Sequence, residues 1–148
     1  MLASACSAPP AVKASSHLVR RFSHTCGAWL RSPDSLSPPP IQLMNSSRFA
    51  GMQLDVLTYA ELPVIPFWRY DLIVLEQANS QTISAMLVSI KRVRALSKAP
   101  LVMLTGRVAP EVTIAGLRAG ADAVASILAS EQVLLAHWGA MLKRWKAV

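Results

Sequence analysis

Residues 70–105 read YDLIVLEQANSQTISAMLVSIKRVRALSKAPLVMLT, and this stretch decides the fold. It holds two short segments, at 71–75 and 100–105, in which every residue except Asp71 and Thr105 is apolar. Between them, apolar residues recur every three or four positions from Ile83 onward. A run that is apolar on both faces is typical of a parallel strand covered by helices, and the spacing between the runs predicts an amphipathic helix over residues 83–98. The order strand, helix, strand therefore predicts a parallel pair joined by a right-handed crossover.

The same alternation continues to the C-terminus. Pro110 suits the first turn of a second helix, and Gly120 suits the position just after that helix ends. Residues 123–127 then predict a short strand, which a last amphipathic helix follows. Trp138 and Trp145 lie on the apolar face of this helix and are predicted to pack on the sheet, with partner binding as the alternative.

The N-terminal half of the domain gives weaker signals. Residues 54–59 predict a strand and residues 41–44 a weaker one, while Pro63 and Pro66 disfavour a full helix over 60–70. The sequence as a whole predicts an α/β fold with an open, doubly wound parallel sheet of about five strands, whose N-terminal half is incomplete. An eroded sequence that folds poorly is the alternative explanation of this compressed region.

The first forty residues are expected to lie outside the folded domain. Residues 32–40, SPDSLSPPP, contain four prolines in nine positions, which predicts an extended linker. The chain has a net charge of +7, and residues 1–48 carry five basic residues against one acidic residue, which places 5 − 1 = +4 of that charge there. We therefore predict a disordered, basic, Ser/Pro-rich tail and linker over 1–40 and a domain over 41–148, best defined from residue 70. A transit peptide would have a similar composition at its start.

Bulk properties exclude several classes of function. No apolar run approaches the roughly 18 residues of a membrane span. Cys6 and Cys26 have no further Cys or His at metal-ligand spacing. Basic residues cluster only at 91–94 and 143–146, on predicted helices, where a solvated face is a simpler interpretation than a nucleic-acid site. We therefore expect a cytoplasmic protein that binds neither membrane nor nucleic acid.

Four sequence segments follow one another in a characteristic order: YDLIVLEQ, KRVRALSKAP, LVMLTGR and EVTIAGLRAGADAV. Together they resemble the receiver domain of two-component response regulators, over about residues 70–145 with a weaker extension back to residue 41. The resemblance implies the flavodoxin-like receiver fold and a regulatory, non-enzymatic role in phosphorelay signalling.

The resemblance also assigns roles to two residues at strand ends. In the family, the third strand ends in an aspartate that accepts a phosphoryl group from a histidine kinase. Glu76 stands at this phospho-acceptor position here. The family's fourth strand ends in a Thr or Ser whose hydroxyl moves toward the phosphoryl group, and Thr105 matches that switch position.

Other parts of the family's site are missing from the sequence. The acidic pair that would hold Mg²⁺ has no counterpart after the weak strand at 41–44, where Asn45 follows instead. The family's fifth strand ends in a lysine followed by a proline, and these places fall on Ile127 and Leu128 here. The loop over residues 77–84 contains none of the family's Pro, Asp or Gly.

These departures predict a degenerate receiver, or pseudo-receiver. A transferring phosphoryl group gathers negative charge that cations must stabilise, and the loss of one such contact raises the barrier by roughly 3–4 kcal/mol. We therefore expect a module that needs no metal or other cofactor, acts through protein contacts and is not efficiently phosphorylated. One alternative is an active phosphorelay receiver in which Glu76 accepts the phosphoryl group with Mg²⁺. The second alternative is a small ligand-binding α/β domain that resembles part of a TIM barrel.

The resemblance further implies a docking surface. In receivers, the face formed by the fourth helix, fifth strand and fifth helix commonly binds a second copy or an output domain. In this sequence Arg118, Asp122, Lys143 and Arg144 would border that face. The implied partner is a histidine kinase, an output protein or a second copy of the chain.

Overall fold

The computed structural model describes residues 25–32, 53–77 and 81–146, except for the side chains of Glu131 and Lys146. Within these residues five parallel strands form one open sheet in the order β2-β1-β3-β4-β5. The α/β class and the five-stranded parallel sheet are therefore confirmed. In a TIM barrel each strand lies beside the next one in the sequence, whereas here β1 lies between β2 and β3, so the described sheet is not a piece of such a barrel. The strands are β1 (Cys26–Arg31), β2 (Gln53–Thr58), β3 (Leu72–Glu76), β4 (Leu101–Thr105) and β5 (Ala123–Ser126).

In the described part of the chain, three α-helices connect or follow the strands: α1 (Ile83–Leu96), α2 (Pro110–Ala119) and α3 (Glu131–Lys146). The hydroxyl of Thr82 accepts a hydrogen bond from the Ala85 N–H at 3.1 Å and caps the start of α1. Pro110 occupies the first turn of α2, as predicted. No helix among the described residues is both long enough and apolar enough to cross a bilayer.

The segment between β2 and β3 is not an α-helix. It forms two short 3₁₀ segments, Tyr59–Val64 and Phe67–Arg69. Pro63 lies inside the first of them and Pro66 immediately precedes the second. Since proline has no N–H to donate within a helix, the expectation that residues 60–70 form no full helix is confirmed.

Apolar side chains cover the sheet on both faces. On one face Ile90 of α1 packs in a cluster with Ile73 and Leu75 of β3. On the other face Trp138 of α3 packs in a cluster with Val74. Neighbouring residues of β3 thus belong to different clusters, which is why the strand is apolar at every position. The prediction that Trp138 packs on the sheet is confirmed.

One strand lies where the sequence predicted a tail. The residues CGAWLR form β1, an interior strand that pairs with both β2 and β3. The prediction of a disordered tail over 1–40 is therefore wrong for residues 25–32, while the weak strand at 41–44 and Asn45 lie outside the described residues. β1 gave little signal because it is short and contains Gly27 and Ala28, which have low strand preference. Its stability comes from pairing with strands that are distant in the sequence.

Candidate functional site

The carboxyl ends of the parallel strands bring polar side chains together. β1 and β3 pair with Leu30 beside Leu75, so the next residues along, Arg31 and Glu76, are neighbours at this edge. Thr105 ends β4, the strand on the other side of β3. Open α/β sheets bind their ligands beyond this edge. The two residues singled out by the sequence, Glu76 and Thr105, therefore lie where a functional site is expected.

The carboxylate of Glu76 is engaged inside the protein. Glu76 is fully buried, with 0% of its surface exposed. Its Oε2 lies 3.5 Å from Nε of Arg31, whose side chain is itself only 13% exposed. Its Oε1 accepts a hydrogen bond from Nε1 of Trp29 at 3.3 Å. A buried carboxylate is stable only when it has an opposite charge and hydrogen bonds, and β1 supplies both.

Trp29, which donates to Glu76, is held in place by α3. The ring centroids of Trp29 and Trp138 lie 5.5 Å apart with an angle of 77° between the planes, an edge-to-face contact. Both indoles are buried. Within the described part of the chain Nε1 of Trp138 has no hydrogen-bond partner, so Trp138 acts here through packing alone. The donor to Glu76 is therefore positioned by the packing of α3 on the sheet.

Tyr59 contributes a second polar contact at this edge. It follows β2, and its hydroxyl donates to the backbone carbonyl of Glu76 at 2.8 Å and contacts Sδ of Met86 at 3.6 Å. Burial, and to a lesser extent the nearby charge of Glu76, raises the pKa of Tyr59 well above its ordinary value. The hydroxyl therefore stays protonated and remains a donor that ties the end of β3 to the first 3₁₀ segment.

The hydroxyl of Thr105 is also committed to an internal partner. It donates to Oε1 of Gln77 and accepts from the backbone N–H of Arg107 at 3.1 Å. Gln77 is fixed in turn, because its Nε2 donates to the carbonyl of Gln81 at 2.9 Å and its N–H donates to the carbonyl of Leu104 at 2.8 Å. Thr105 is fully buried. It lies at the predicted position, but the side chain it bonds is Gln77, not Glu76.

Two other carboxylates of the described chain are engaged away from this edge. Oδ2 of Asp71 accepts from the Cys26 N–H at 3.0 Å, at the opposite end of the strands, and Oδ2 of Asp55 accepts from the hydroxyl of Tyr70 at 2.8 Å. In the ranges that the structure covers, no three His, Cys, Asp or Glu side chains converge on a metal position. What faces Glu76 from the end of β1 is the guanidinium of Arg31.

The chain after β5 presents apolar side chains. The Ile127 N–H donates to the carbonyl of Thr105 at 3.0 Å, which places Ile127 beside the end of β4. Leu128 is 86% exposed. Ile127 stands where the family has its lysine, and Leu128 stands where it has the following proline. Among the described residues, the cation that pairs with Glu76 comes from β1 instead.

The four residues predicted to border a docking face differ in their surroundings. Arg118, Lys143 and Arg144 are exposed on α2 and α3. Asp122 has an internal role, because its Oδ2 accepts from Nη2 of Arg94 at 2.7 Å and from the Leu101 N–H at 2.9 Å. Asp122 therefore stabilises the connection between α1, β4 and β5, and the docking role of the other three stays a prediction.

Sequence reasoning missed most of the partners of Glu76 and Thr105. Arg31 and Trp29 were assigned to the tail, and neither Tyr59 nor Gln77 was given a role. The sequence pattern that could have identified this strand is AWLR, in which three apolar residues precede a cation. Such a pattern fits a short buried strand that ends at the carboxyl edge of a sheet. A pattern this short predicts a strand only when the strand that pairs with it is already known.

No protein-family model matches the chain, and no curated protein matches its sequence. Solved structures do match its fold. A two-component response regulator from Clostridium difficile superimposes with a TM-score of 0.66 at 19% identity, covering 82% of this chain and 98% of that chain. A CheY-like response regulator receiver domain protein from Methanospirillum hungatei superimposes with a TM-score of 0.63 at 14% identity, covering 83% of this chain and 97% of that chain. A response regulator from Thermotoga maritima superimposes with a TM-score of 0.62 at 17% identity, covering 80% of this chain and 98% of that chain.

The five-stranded parallel sheet with helices on both faces agrees with this likeness, and the roles assigned to Glu76 and Thr105 stay predictions. Identities below one fifth relate the folds and leave the chemistry to be argued from the residues present. On that basis, the chain has the flavodoxin-like, five-stranded parallel fold of response-regulator receiver domains.

Proposed function

We propose that the chain is a regulatory receiver-like module of two-component phosphorelay signalling, which acts through protein contacts and is not efficiently phosphorylated. The observation that carries the proposal is the buried pair of Arg31 and Glu76. It occupies the edge of the sheet at which a receiver would carry out phosphoryl transfer.

The pair opposes attack by Glu76 on a phospho-donor. An attacking oxygen must be free and reachable, yet both carboxylate oxygens have partners and the residue is 0% exposed. Separating a buried ion pair costs roughly 3–5 kcal/mol because a charge is left uncompensated. If that cost is added to the barrier, the rate falls by roughly two to four orders of magnitude.

Among the described residues, the cation that pairs with Glu76 is Arg31, while Arg107 is exposed on the chain after β4. The charge of Arg31 is already compensated by Glu76 at 3.5 Å. The positions after β5 carry Ile127 and Leu128. Phosphoryl transfer depends on positioned positive charge, so the residues at this edge favour a fixed state over a phosphorylation cycle.

A surface suited to protein contacts lies on the α2 side of the fold. Ile114 and Leu117, three residues apart on α2, are 49% and 45% exposed and share one helix face. Leu128 and Val133, after β5 and on α3, are 86% and 49% exposed. Apolar residues left on the surface in groups are typical of protein-binding sites. We propose that this face binds a histidine kinase, an output protein or a second copy of the chain.

The proposal is tested by incubation with acetyl phosphate and Mg²⁺, followed by intact-mass measurement. A receiver domain with an acceptor aspartate serves as the positive control, and Glu76→Gln is the matched variant. We expect no mass increase in either form of this chain and no measurable Mg²⁺ binding by calorimetry. A stoichiometric acyl phosphate that is present in the natural chain and absent from Glu76→Gln would instead establish the active-receiver alternative.

A further inference from the structure

A concave site lies at the opposite, amino-terminal edge of the sheet. It is a cavity of about 350 Å³ between the segment before β3, the segment before β4 and the end of α3. We call it the aromatic groove, and its apolar wall consists of Phe67, Trp68, Tyr70, Leu96, Leu142 and Trp145. None of these residues takes part in the contacts of Glu76 or Thr105 described above.

Several of these apolar side chains are not buried by the fold. Trp68 is 79% exposed, Leu96 is 59% exposed and Trp145 is 44% exposed. The prediction that Trp145 packs on the sheet is therefore only partly met, in contrast to Trp138. Tryptophan is among the residues that contribute most to binding energy at protein interfaces, because it removes a large apolar area from water on contact. Two exposed indoles beside one cavity therefore indicate a binding site.

The charges at the groove are mainly positive. Lys98 is exposed and lines it, and the guanidinium of Arg69 lies 5.9 Å from the ring centroid of Trp68. Within the described residues Arg31 pairs with Glu76 and Arg94 with Asp122, and neither Lys98 nor Arg69 forms an ion pair with another described residue. The acid of the groove wall, Asp71, accepts a backbone hydrogen bond from Cys26. An occupant that carries negative charge is therefore complementary to this rim.

Charge also argues against residues 1–24 and against a second copy of the chain as occupants. Residues 1–24 contain Lys13, Arg20 and Arg21 and no acidic residue. A second copy would bring a molecule with a net charge of +7 toward a basic rim. Like charges at an interface oppose association. Of these candidates, a segment of a different protein that carries negative charge is the complementary occupant.

We propose that the aromatic groove binds a short acidic segment of a partner protein, one that inserts bulky apolar side chains between Trp68 and Trp145 while its carboxylates face Lys98 and Arg69. This site is independent of phosphorylation at the carboxyl edge. It would give the module two separate contact surfaces, one at the groove and one on α2 and the start of α3. Such a module could hold two proteins at once.

The test uses the four tryptophans of the full chain, which give four indole N–H signals by NMR. The probe is a capped octapeptide that alternates Glu with Leu and Phe, and its control is the same peptide with Lys in place of Glu. We expect the Glu peptide to shift the signals of Trp68 and Trp145 and to leave those of buried Trp29 and Trp138 in place. Trp68→Phe and Trp145→Phe assign the signals.

Variants then locate the site. Trp68→Ala and Lys98→Glu should each weaken binding of the Glu peptide by about tenfold or more, as expected for an interface anchor and a complementary charge. Val88→Ala, which removes an apolar side chain of α1 that is 57% exposed and lies outside the groove, should leave binding unchanged.

Three results would overturn the proposal. The first is an absence of shifts at Trp68 and Trp145, as expected if another part of the chain covers the groove. The second is equal binding of the Lys peptide, which would remove the argument from charge. The third is a dimer of the free protein that Trp68→Ala dissociates, because the occupant would then be a second copy.

Discussion

Replacing Arg31 by methionine tests whether the buried pair at the carboxyl edge is as tightly coupled as its geometry indicates. The substitution removes the guanidinium 3.5 Å from a carboxylate that is 0% exposed and retains apolar contact of similar length. Loss of one partner from a buried pair typically destabilises a protein by about 3–5 kcal/mol, because the remaining charge is desolvated without compensation. We expect a loss in that range in the free energy of unfolding.

The assay is urea unfolding monitored by tryptophan fluorescence. With a typical urea dependence of about 1–3 kcal/mol per molar, the midpoint should fall on the order of 2 M. Arg118→Met is the matched control, since Arg118 is exposed on α2, and it should change the stability by no more than about 0.5 kcal/mol.

A double variant separates charge from packing. In Arg31→Met with Glu76→Gln, the amide carries no charge and its oxygen can still accept from Trp29, so most of the lost stability should return. A loss below about 1 kcal/mol for Arg31→Met alone would show that water or another group compensates Glu76, and it would refute the reasoning. So would a double variant no more stable than the single one.

Two further predictions concern the rest of the fold. Gly120 has a φ of 127°, and a Cβ there would lie 2.9 Å from Cγ of Arg94, so Gly120→Ala should destabilise the protein by about 1–3 kcal/mol in thermal or urea unfolding. An unchanged stability would contradict the strain. Burial, and then the charge of Glu76, raises the pKa of Tyr59, so the folded hydroxyl keeps its proton while the unfolded one loses it above about pH 10. The stability from this group is present below that pH and is lost as the pH rises. Between about pH 8 and about pH 11, the free energy of unfolding should therefore fall less in Tyr59→Phe than in the natural chain. Urea unfolding at both pH values measures this difference. Equal decreases in the two proteins would contradict the pKa shift.

The C-terminal elements of the fold could be predicted from the sequence because the patterns that define them are local. β3, α1 and β4 each have an apolar pattern that is complete within the element, and burial follows from that pattern alone. The positions of Glu76 and Thr105 at the ends of their strands could be assigned for the same reason, since a strand end follows from the run that precedes it. The absence of a full helix around Pro63 was equally local, because proline cannot donate within a helix.

The contacts that Glu76 makes at the carboxyl edge could not be predicted from local patterns. Arg31 and Glu76 are 45 positions apart in the numbering, and they meet only because β1 pairs with β3 in a definite register. Trp29 reaches Glu76 because Trp138, on the last helix, fixes its ring. The aromatic groove likewise joins three separate segments, and nothing in the spacing of Trp145 distinguishes it from buried Trp138.

The sequence by itself determined the class of fold, the parallel order of its C-terminal strands and the identity of the residues at the ends of β3 and β4, because hydrophobic periodicity acts over a few residues at a time. Only the tertiary structure decided that β1 comes from the segment at 26–31 and that its arginine neutralises Glu76. The physical reason is that strand pairing and ion pairing are long-range contacts. Their free energy depends on which elements become neighbours, and a short strand such as CGAWLR is stable only between the two strands that flank it.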